Sequence, residues 1–123
     1  MFTMKKIFTL SAFLLFIAIF FSSCVKQNVF QIDEGYWLSK ERGEVVYSSS
    51  SCSYYIVQTA NGYTIVQSLD SKPYVGDILY GDLSYSGAKD MYDRTSDIII
   101  TGNVKEYWLS YSGAQDAINY YCY

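Results

Sequence analysis

The stretch from Tyr54 to Ser68, YYIVQTANGYTIVQS, decides the fold. Two runs rich in β-branched and aromatic residues, 54–59 and 63–68, flank Asn61-Gly62. An Asn-Gly pair between two such runs is the strongest short-range signal for a β-hairpin, because both residues accept the positive φ angles of a tight turn. Both runs carry apolar residues on both faces, which is typical of strands in a closed barrel or a sandwich.

Short strand-like segments continue on both sides of this hairpin. Gly81 lies inside one of them and predicts a bend, as the corners of small barrels require. Turns are predicted at 40–43 and at Gly102-Asn103. The further segments predicted as strands are 36–38, 44–47, 78–83, 97–101 and 104–109. The sequence therefore predicts a mainly β fold, a small OB-like β-barrel by preference and a β-sandwich as the alternative.

One octapeptide occurs twice in the chain. Leu83–Asp90, LSYSGAKD, is repeated 26 residues later as Leu109–Asp116, LSYSGAQD, and seven of the eight positions are identical. A solenoid needs at least about three copies of its repeat. We therefore interpret the two copies as equivalent strand-to-turn corners of one sheet.

The second copy leads into a segment with helical periodicity. Ser112 and Gln115 have the spacing of a capping box, which satisfies free amide groups at a helix N-terminus. After it, apolar residues recur three and four positions apart, as on one face of a helix; these residues are Ala114, Ala117, Ile118 and Tyr121. We predict a short C-terminal helix that packs on the sheet.

The start of the chain has the composition of an export signal. Lys5 and Lys6 precede an apolar run of 15 residues, Ile7–Phe21, and Ser-Ser-Cys follows at 22–24. A run of this length suits the apolar core of a signal peptide and is short for a membrane helix, which needs about 17–25 residues. The arrangement resembles the lipobox of bacterial lipoproteins, with Phe21 where Leu is usual. An uncleaved anchor or an ordinary secretory signal is the alternative.

This resemblance implies a division of the chain and a location. Residues 1–23 would be the signal peptide, Cys24 would carry the lipid (palmitate among its acyl chains), 24–32 would be a tether, and 33–123 a single small β domain. Each buried methylene contributes roughly 0.8 kcal/mol, so the lipid would hold the protein on the membrane. Val25, rather than Asp, after the lipidated Cys implies sorting to the outer membrane, facing the periplasm or the cell surface.

Two cysteines remain once Cys24 is assigned to the lipid. Cys52 and Cys122 would meet an oxidising compartment, where an even pair usually forms a disulfide. In the chain-entropy model, closing the loop between residues 52 and 122 lowers the entropy of the unfolded chain and stabilises the fold by about 4 kcal/mol. Two buried free thiols are the alternative, and zinc is disfavoured because the sequence has no His.

Charge argues against nucleic acid as a partner. From residue 24 onward the chain has seven basic and twelve acidic side chains, a net charge of −5. Phosphate backbones are bound by clustered Lys and Arg, and no basic run occurs in this part of the sequence.

The residue types also argue against an enzyme. Without His the chain lacks the commonest general base at neutral pH. Ser86 and Lys89 have the Ser-x-x-Lys spacing of penicillin-binding proteins, but the companion Lys-Thr-Gly and Ser-Asp-Asn motifs do not occur. The acidic segment 90–97 lacks the glycine and the ligand spacing of calcium loops, so we interpret it as a solvated loop. We predict no catalytic residues, no cofactor and no metal site.

Aromatic residues are the most distinctive feature of the predicted domain. From residue 24 onward, 17 of 100 residues are Tyr, Trp or Phe. A surface that stacks on sugars or binds a protein could be formed by Trp37, Tyr107 and Trp108. Alternatively, Tyr takes the place of Phe in a small core whose edges are exposed to solvent. We expect a non-enzymatic, lipid-anchored binding or accessory module for an envelope protein or a glycan. A structural or assembly subunit of an envelope complex is the alternative, and a small hydrolase or hydrolase inhibitor is less favoured.

Overall fold

The computed structural model describes residues 31–123, whose compact unit runs from Ile32 to Tyr123. The predicted signal peptide, the predicted lipid site at Cys24 and the first part of the predicted tether lie outside the described residues. The strands are β1 (Glu41–Ser48), β2 (Tyr54–Thr59), β3 (Gly62–Ser68), β4 (Ile78–Gly81), β5 (Gly87–Asp93) and β6 (Ile98–Leu109). The helices are α1 (Glu34–Leu38) and α2 (Tyr111–Cys122).

The six strands form a closed antiparallel barrel in the order β1-β2-β3-β6-β5-β4. The ring closes because β1 pairs with β2 on one side and with β4 on the other. The predicted mainly β fold and small OB-like barrel are confirmed, with one strand more than the five of an OB-fold. The sandwich alternative is wrong, since the sheets of a sandwich do not close into one ring.

The hairpin predicted from the Asn-Gly pair is confirmed as β2 and β3. Their register pairs Tyr54 with Gln67 and Thr59 with Gly62. Gly62 has a φ of 131°, and a Cβ at this position would lie 2.7 Å from the carbonyl oxygen of Leu109 on β6. The turn itself is formed by Ala60 and Asn61, and Gly62 is the first residue of β3. Glycine is required here both by the positive φ and by the close approach of β6.

The barrel interior packs tightly against Gly102. A Cβ at Gly102 would lie 2.6 Å from both Met91 Cε and Val66 Cγ1. The turn predicted at 102–103 is wrong, because Gly102 lies inside the continuous strand β6 and makes room for the core instead. The buried interior comprises Val45, Tyr55, Val57, Val66, Leu79, Leu83, Met91, Ile100 and Val104.

Two elements predicted before the hairpin are also wrong. The strand predicted at 36–38 belongs to α1, which Asp33 caps by accepting a hydrogen bond from Tyr36 N at 3.2 Å. The turn predicted at 40–43 is largely the beginning of β1, where Glu41 already pairs with β4. Capping by a single short side chain thus starts a helix where the aromatic residues alone favour a strand.

The two copies of the octapeptide differ in structure, so their interpretation as equivalent corners is wrong. The first copy passes through a turn into β5, part of which is the segment interpreted as a solvated loop. The second copy enters α2, whose N-cap is Ser110 and not Ser112; its Oγ accepts a hydrogen bond from Gly113 N at 3.1 Å. The C-terminal helix and its predicted face are confirmed: Ala114, Ala117 and Ile118 are buried, and Tyr121 packs beside them.

Candidate functional site on the barrel wall

Helix α2 covers the outer face of the β2–β3 hairpin and also contacts β6. Along β2, Tyr55 and Val57 point into the barrel, while Ile56 points outward and is buried beneath the helix. Successive strand residues point to opposite faces, so a strand that is covered on both sides needs apolar residues at every position. The helix presents Ala114, Ala117 and Ile118 to this surface. The two-faced apolar pattern of the hairpin therefore reflects the barrel interior on one side and the helix on the other.

A groove of about 480 Å³ lies beside this contact, between α2 and the outer face of β1, β2 and β3. We call it the tyrosine groove. Its volume is within the range of small-molecule sites, roughly 300–1,000 Å³. It is lined by Val46, Tyr47, Ile56, Gln58, Tyr63, Tyr111, Ala114, Gln115, Ile118, Asn119 and Tyr123.

The polar groups of the tyrosine groove are phenols and carboxamides. Four of its lining residues are Tyr, three are Gln or Asn, and none is Asp, Glu, Lys or Arg. Gln115 Nε2 donates a hydrogen bond to the Tyr111 hydroxyl at 3.0 Å. The ring of Tyr63 stands edge-on to that of Tyr111, with 5.8 Å between the ring centroids. The groove thus offers flat apolar surfaces together with neutral donors and acceptors.

The far end of the groove holds a second pair of phenols. A hydrogen bond with Tyr123 raises the pKa of Tyr47 above its ordinary value, and partial burial raises it further. The Tyr47 hydroxyl therefore keeps its proton throughout the physiological pH range. A protonated phenol can both donate and accept a hydrogen bond, which suits recognition of a ligand hydroxyl.

A disulfide joins the end of α2 to the barrel, as the sequence predicts. Cys52 and Cys122 are bonded, with 5.4 Å between their Cα atoms. Next to this bond, Tyr54 at the start of β2 stacks on Tyr121 of the helix, with ring centroids 4.6 Å apart. The C-terminal turn of α2 is therefore held on β2 by one covalent bond and one aromatic contact.

The three aromatic residues singled out from the sequence do not form one surface. Trp37 is half-buried, and its ring neighbours are Tyr36 at 5.1 Å and Tyr92 at 6.5 Å. Tyr107 and Trp108 lie together at the end of β6 with ring centroids 5.7 Å apart, and are 39% and 63% exposed. Trp108 has a φ of 57°, a left-handed conformation that is uncommon for a residue other than Gly. None of these three residues lines the tyrosine groove.

The tyrosines of the groove itself are not predicted from the sequence. They are separated widely along the chain, and only the strand register and the position of α2 bring them together. One signal was available: the apolar outer face of the hairpin needs a cover, and the predicted helix is the element long enough to supply it. This signal points to Tyr63 on the outer face of the hairpin and to Tyr111 at the start of the helix. It does not point to Tyr47 on β1 or to Tyr123 after the helix, which become neighbours only through the docking of α2.

Two carboxyl groups outside the groove form a buried pair. Burial raises the pKa of Asp93 to about 7, and a hydrogen bond with Asp77 adds to this effect. Ser96 N donates to Asp93 Oδ1 at 3.1 Å, and Tyr74 N donates to Asp77 Oδ2 at 3.2 Å. The pair therefore shares a proton and joins the loop before β4 to the turn after β5.

The Ser-x-x-Lys segment likewise serves the backbone. Lys89 Nζ donates hydrogen bonds to the carbonyl oxygens of Asp82, at 3.1 Å, and of Tyr85. Burial lowers the pKa of Lys89, and the nearby Asp82 carboxylate opposes that effect. These bonds hold the turn that precedes β5 and direct the ammonium group at carbonyl oxygens.

Comparison with known proteins assigns no function, because no protein-family model, curated protein or solved structure matches this chain. Within residues 31–123, no helix is long and apolar enough to cross a membrane.

Proposed function

We propose that this protein is a lipid-anchored, non-enzymatic binding module of the cell envelope, and that the tyrosine groove binds a neutral glycan. The observation that carries the proposal is the lining of the groove, which combines four tyrosines with three carboxamides and contains no charged side chain. The lining has no His, Asp, Glu or Lys, the side chains that most often act as general bases, which supports binding rather than hydrolysis.

The chemistry of sugars matches this lining. A pyranose ring has apolar C–H faces that pack on aromatic rings and equatorial hydroxyls that need hydrogen-bond partners. The rings of Tyr63 and Tyr111 can pack on the C–H faces of the sugar, and the amides of Gln58 and Asn119 can form hydrogen bonds with its hydroxyls. The rings lose little conformational entropy on binding, because a Tyr side chain has only two rotatable χ angles.

The charge of the protein favours a neutral ligand over an anionic one. The predicted mature chain carries a net charge of −5. Such a field repels anionic polymers during approach. An acidic polysaccharide would also need Lys or Arg in the groove to balance its charge, and none of the lining residues is basic.

Anchoring on the membrane is the second part of the proposal. It is supported by the lipobox-like segment that ends at Cys24 and by the disulfide, which suits an oxidising compartment. We place the protein at the outer membrane because Val25 follows the lipidated residue. The test is incorporation of a labelled fatty acid by the full chain and by its Cys24→Ser variant. Label in both, or in neither, would contradict the lipid anchor.

Glycan binding is tested by calorimetry with neutral oligosaccharides of increasing length, compared with uronic-acid oligosaccharides. We expect binding of the neutral series only. Tyr63→Ala and Tyr111→Ala should each weaken binding about tenfold, which corresponds to about 1.4 kcal/mol. Tyr74→Ala is the matched control, because that side chain is 76% exposed and does not line the groove. Equal losses in all three variants, or preferred binding of the acidic series, would refute the proposal.

A protein ligand is the second candidate, and the exposed pair Tyr107 and Trp108 favours it. Trp108 adopts its left-handed conformation where β6 shifts register against β3, between Glu106 and Leu109. Such bulges redirect side chains and are common beside functional sites, and here the bulge leaves the rings of Tyr107 and Trp108 exposed. An affinity pull-down from intact envelopes tests this role, with the double variant Tyr107→Ser/Trp108→Ser as the control. Enrichment of one envelope protein by the parent chain and not by the double variant would favour a protein partner or an assembly role.

A further inference from the structure

We propose that the Cys52–Cys122 disulfide is an exchangeable clasp that controls the tyrosine groove, and that a dithiol reductant opens it by attack on Cys122 Sγ. The inference rests on the proposed function in one respect only, the ligand whose binding it would regulate. Opening of the clasp releases the C-terminal turn of α2, which is one wall of the groove. The groove would therefore bind its ligand in the oxidised protein and lose it in the reduced one.

The packing of α2 explains why the clasp matters. The helix has 12 residues, of which only Ala114, Ala117 and Ile118 are buried, and two of these are small. An isolated helix of this length is marginal in water. Six groove residues lie on this helix or directly after it, namely Tyr111, Ala114, Gln115, Ile118, Asn119 and Tyr123. Loss of the covalent bond at Cys122 thus leaves the C-terminal turn of α2 held on β2 only by the stacking of Tyr54 on Tyr121.

The surroundings of the two sulfurs differ in a way that sets the direction of attack. Cys52 is buried, at 8% exposure, whereas Cys122 is half-buried next to the exposed residues Tyr120 and Tyr123. An incoming thiolate therefore reaches Cys122 Sγ more easily. The sulfur of Cys52 then leaves as a thiolate.

The leaving thiolate has stabilising partners. Tyr54 N donates a hydrogen bond to Cys52 Sγ at 3.3 Å. Lys72 Nζ is held at the backbone of the same cysteine, because it donates to the carbonyl oxygens of Cys52, at 2.7 Å, and of Ser49. Cationic groups and N–H donors stabilise a thiolate, and a better leaving group accelerates thiol–disulfide exchange.

A solvent-filled cleft lies beside this leaving group. An open cleft of about 340 Å³ is lined by Cys52, Lys72, Asp70 and four serines. The Asp70 carboxylate in this cleft accepts a hydrogen bond from Thr101 N at 2.9 Å. The cleft therefore solvates the sulfur as it leaves, next to the Lys72 ammonium group.

The exchange is balanced within the named reactants. One thiolate of the dithiol forms a bond with Cys122 Sγ while the Cys52–Cys122 bond breaks. The second thiolate of the reductant then attacks the mixed disulfide and releases Cys122. Two electrons pass to the protein, both cysteines take up a proton, and the reductant becomes a cyclic disulfide.

The test uses the mature protein with dithiothreitol, and follows amide hydrogen exchange together with thiol labelling by mass spectrometry. On reduction we expect α2 to lose its protection while β5 and β6 keep theirs. Lys72→Gln should slow the exchange reaction roughly threefold. Lys40→Gln is the matched control, because Lys40 pairs with Asp82 on the surface and should leave the rate unchanged.

The outcomes separate this inference from the proposed function. Unchanged protection of α2 after reduction, loss of protection across the whole barrel, or an exchange rate that is the same in Lys72→Gln would each overturn the clasp. Hydrogen exchange and the rate of disulfide reduction are measured without a ligand. They therefore test whether the disulfide controls α2 even if no oligosaccharide binds. If a neutral oligosaccharide does bind the oxidised protein, its affinity should fall at least about tenfold on reduction; retained affinity would also overturn the clasp.

Discussion

The two copies of the octapeptide have nearly the same sequence and different structures. In Leu83–Asp90 the last four residues are extended and begin β5, whereas in Leu109–Asp116 the corresponding four lie in the first turns of α2. Gly87 has a φ of 113°, while its counterpart Gly113 is helical. Seven shared positions thus do not decide between strand and helix.

The residues that follow each copy account for the difference. Met91 follows the first copy and fills the barrel interior, whereas its counterpart Ala117 is a small residue buried beneath a helix. Tyr92 and Ile118 occupy the next equivalent positions and are also buried in different surroundings. Intrinsic propensity is a weak preference that tertiary packing overrides. Each copy of the octapeptide therefore adopts the structure, strand or helix, that allows the two residues following it to be buried.

Exchanging the residue that follows each copy should give the largest effect. Met91→Ala leaves a cavity in the closed barrel and should lower the free energy of unfolding by about 3 kcal/mol. Ala117→Met overpacks the helix contact and should cost about 1 to 2 kcal/mol. Urea denaturation followed by circular dichroism measures both. A smaller cost for Met91→Ala than for Ala117→Met would show that the helix contact, and not the barrel interior, dominates stability.

Asp93, three residues after the first copy, corresponds to Asn119, three residues after the second copy. Because burial and Asp77 raise the pKa of Asp93 to about 7, the folded state binds a proton that the unfolded state releases near pH 4. The pair therefore stabilises the fold at low pH, and this contribution is lost as the pH rises from about 4 to about 7.

Asp93→Asn should remove that pH dependence. An amide at this position keeps the shape of the protonated acid and can still donate a hydrogen bond to Asp77. We expect the variant to be as stable as the parent at pH 4 and below, to gain an advantage as the pH rises through 5 and 6, and to be more stable by on the order of 2 kcal/mol at pH 8. Thermal or urea unfolding across this pH range measures the difference. Parallel pH profiles for the two proteins would contradict the shared proton.

Replacing the glycine shared by both copies should give a smaller difference. Gly87→Ala forces a side chain into the left-handed region, which should cost about 1 kcal/mol although space is available. At Gly113 the helical backbone accepts Ala, but the new Cβ would lie 3.1 Å from the capping Ser110 Oγ. The gain in helix propensity and this crowding offset one another, so we expect a change within about 0.5 kcal/mol. A larger cost at Gly113 would mean that crowding of the cap outweighs backbone strain.

The one position that differs between the copies should matter least. Lys89 donates to the carbonyl oxygen of Tyr85, and Gln115 donates to the hydroxyl of the equivalent Tyr111. Lys89→Gln should cost a few tenths of a kcal/mol, because these bonds are exposed to solvent. Gln115→Lys should leave stability unchanged within about 0.3 kcal/mol. A shift of structure in either variant, detected by circular dichroism, would show that this position selects strand or helix.

Local signals predict the parts of the fold that are encoded locally. The Asn-Gly pair predicts the hairpin, the spacing of Ala114, Ala117 and Ile118 predicts α2, and the count of cysteines predicts the disulfide. Elements whose structure depends on distant residues are not predicted. Gly102 looks like a turn because glycine is common in turns, and only the bulk of Met91 and Val66 explains it.

The sequence predicts that a binding surface exists, but not which residues form it. The excess of tyrosine indicates a binding surface, but Trp37, Tyr107 and Trp108 were the natural choices because tryptophan is rare and interface-prone. The groove instead combines Tyr47 with Tyr123. These residues are far apart in the chain and meet because α2 packs beside the outer face of β1, β2 and β3. A site between a helix and a sheet depends on their docking, which one sequence does not specify.

The order of the strands has a consequence for folding kinetics. The barrel cannot close until β6 has been made, because β3 pairs with β6 and not with β4, and the last bond of the domain forms at Cys122. Native contacts are thus far apart in sequence, and topologies of high contact order fold in milliseconds to seconds rather than microseconds. Without β6 the barrel stays open, and β3 and β5 each keep an unpaired edge that can associate with other strands.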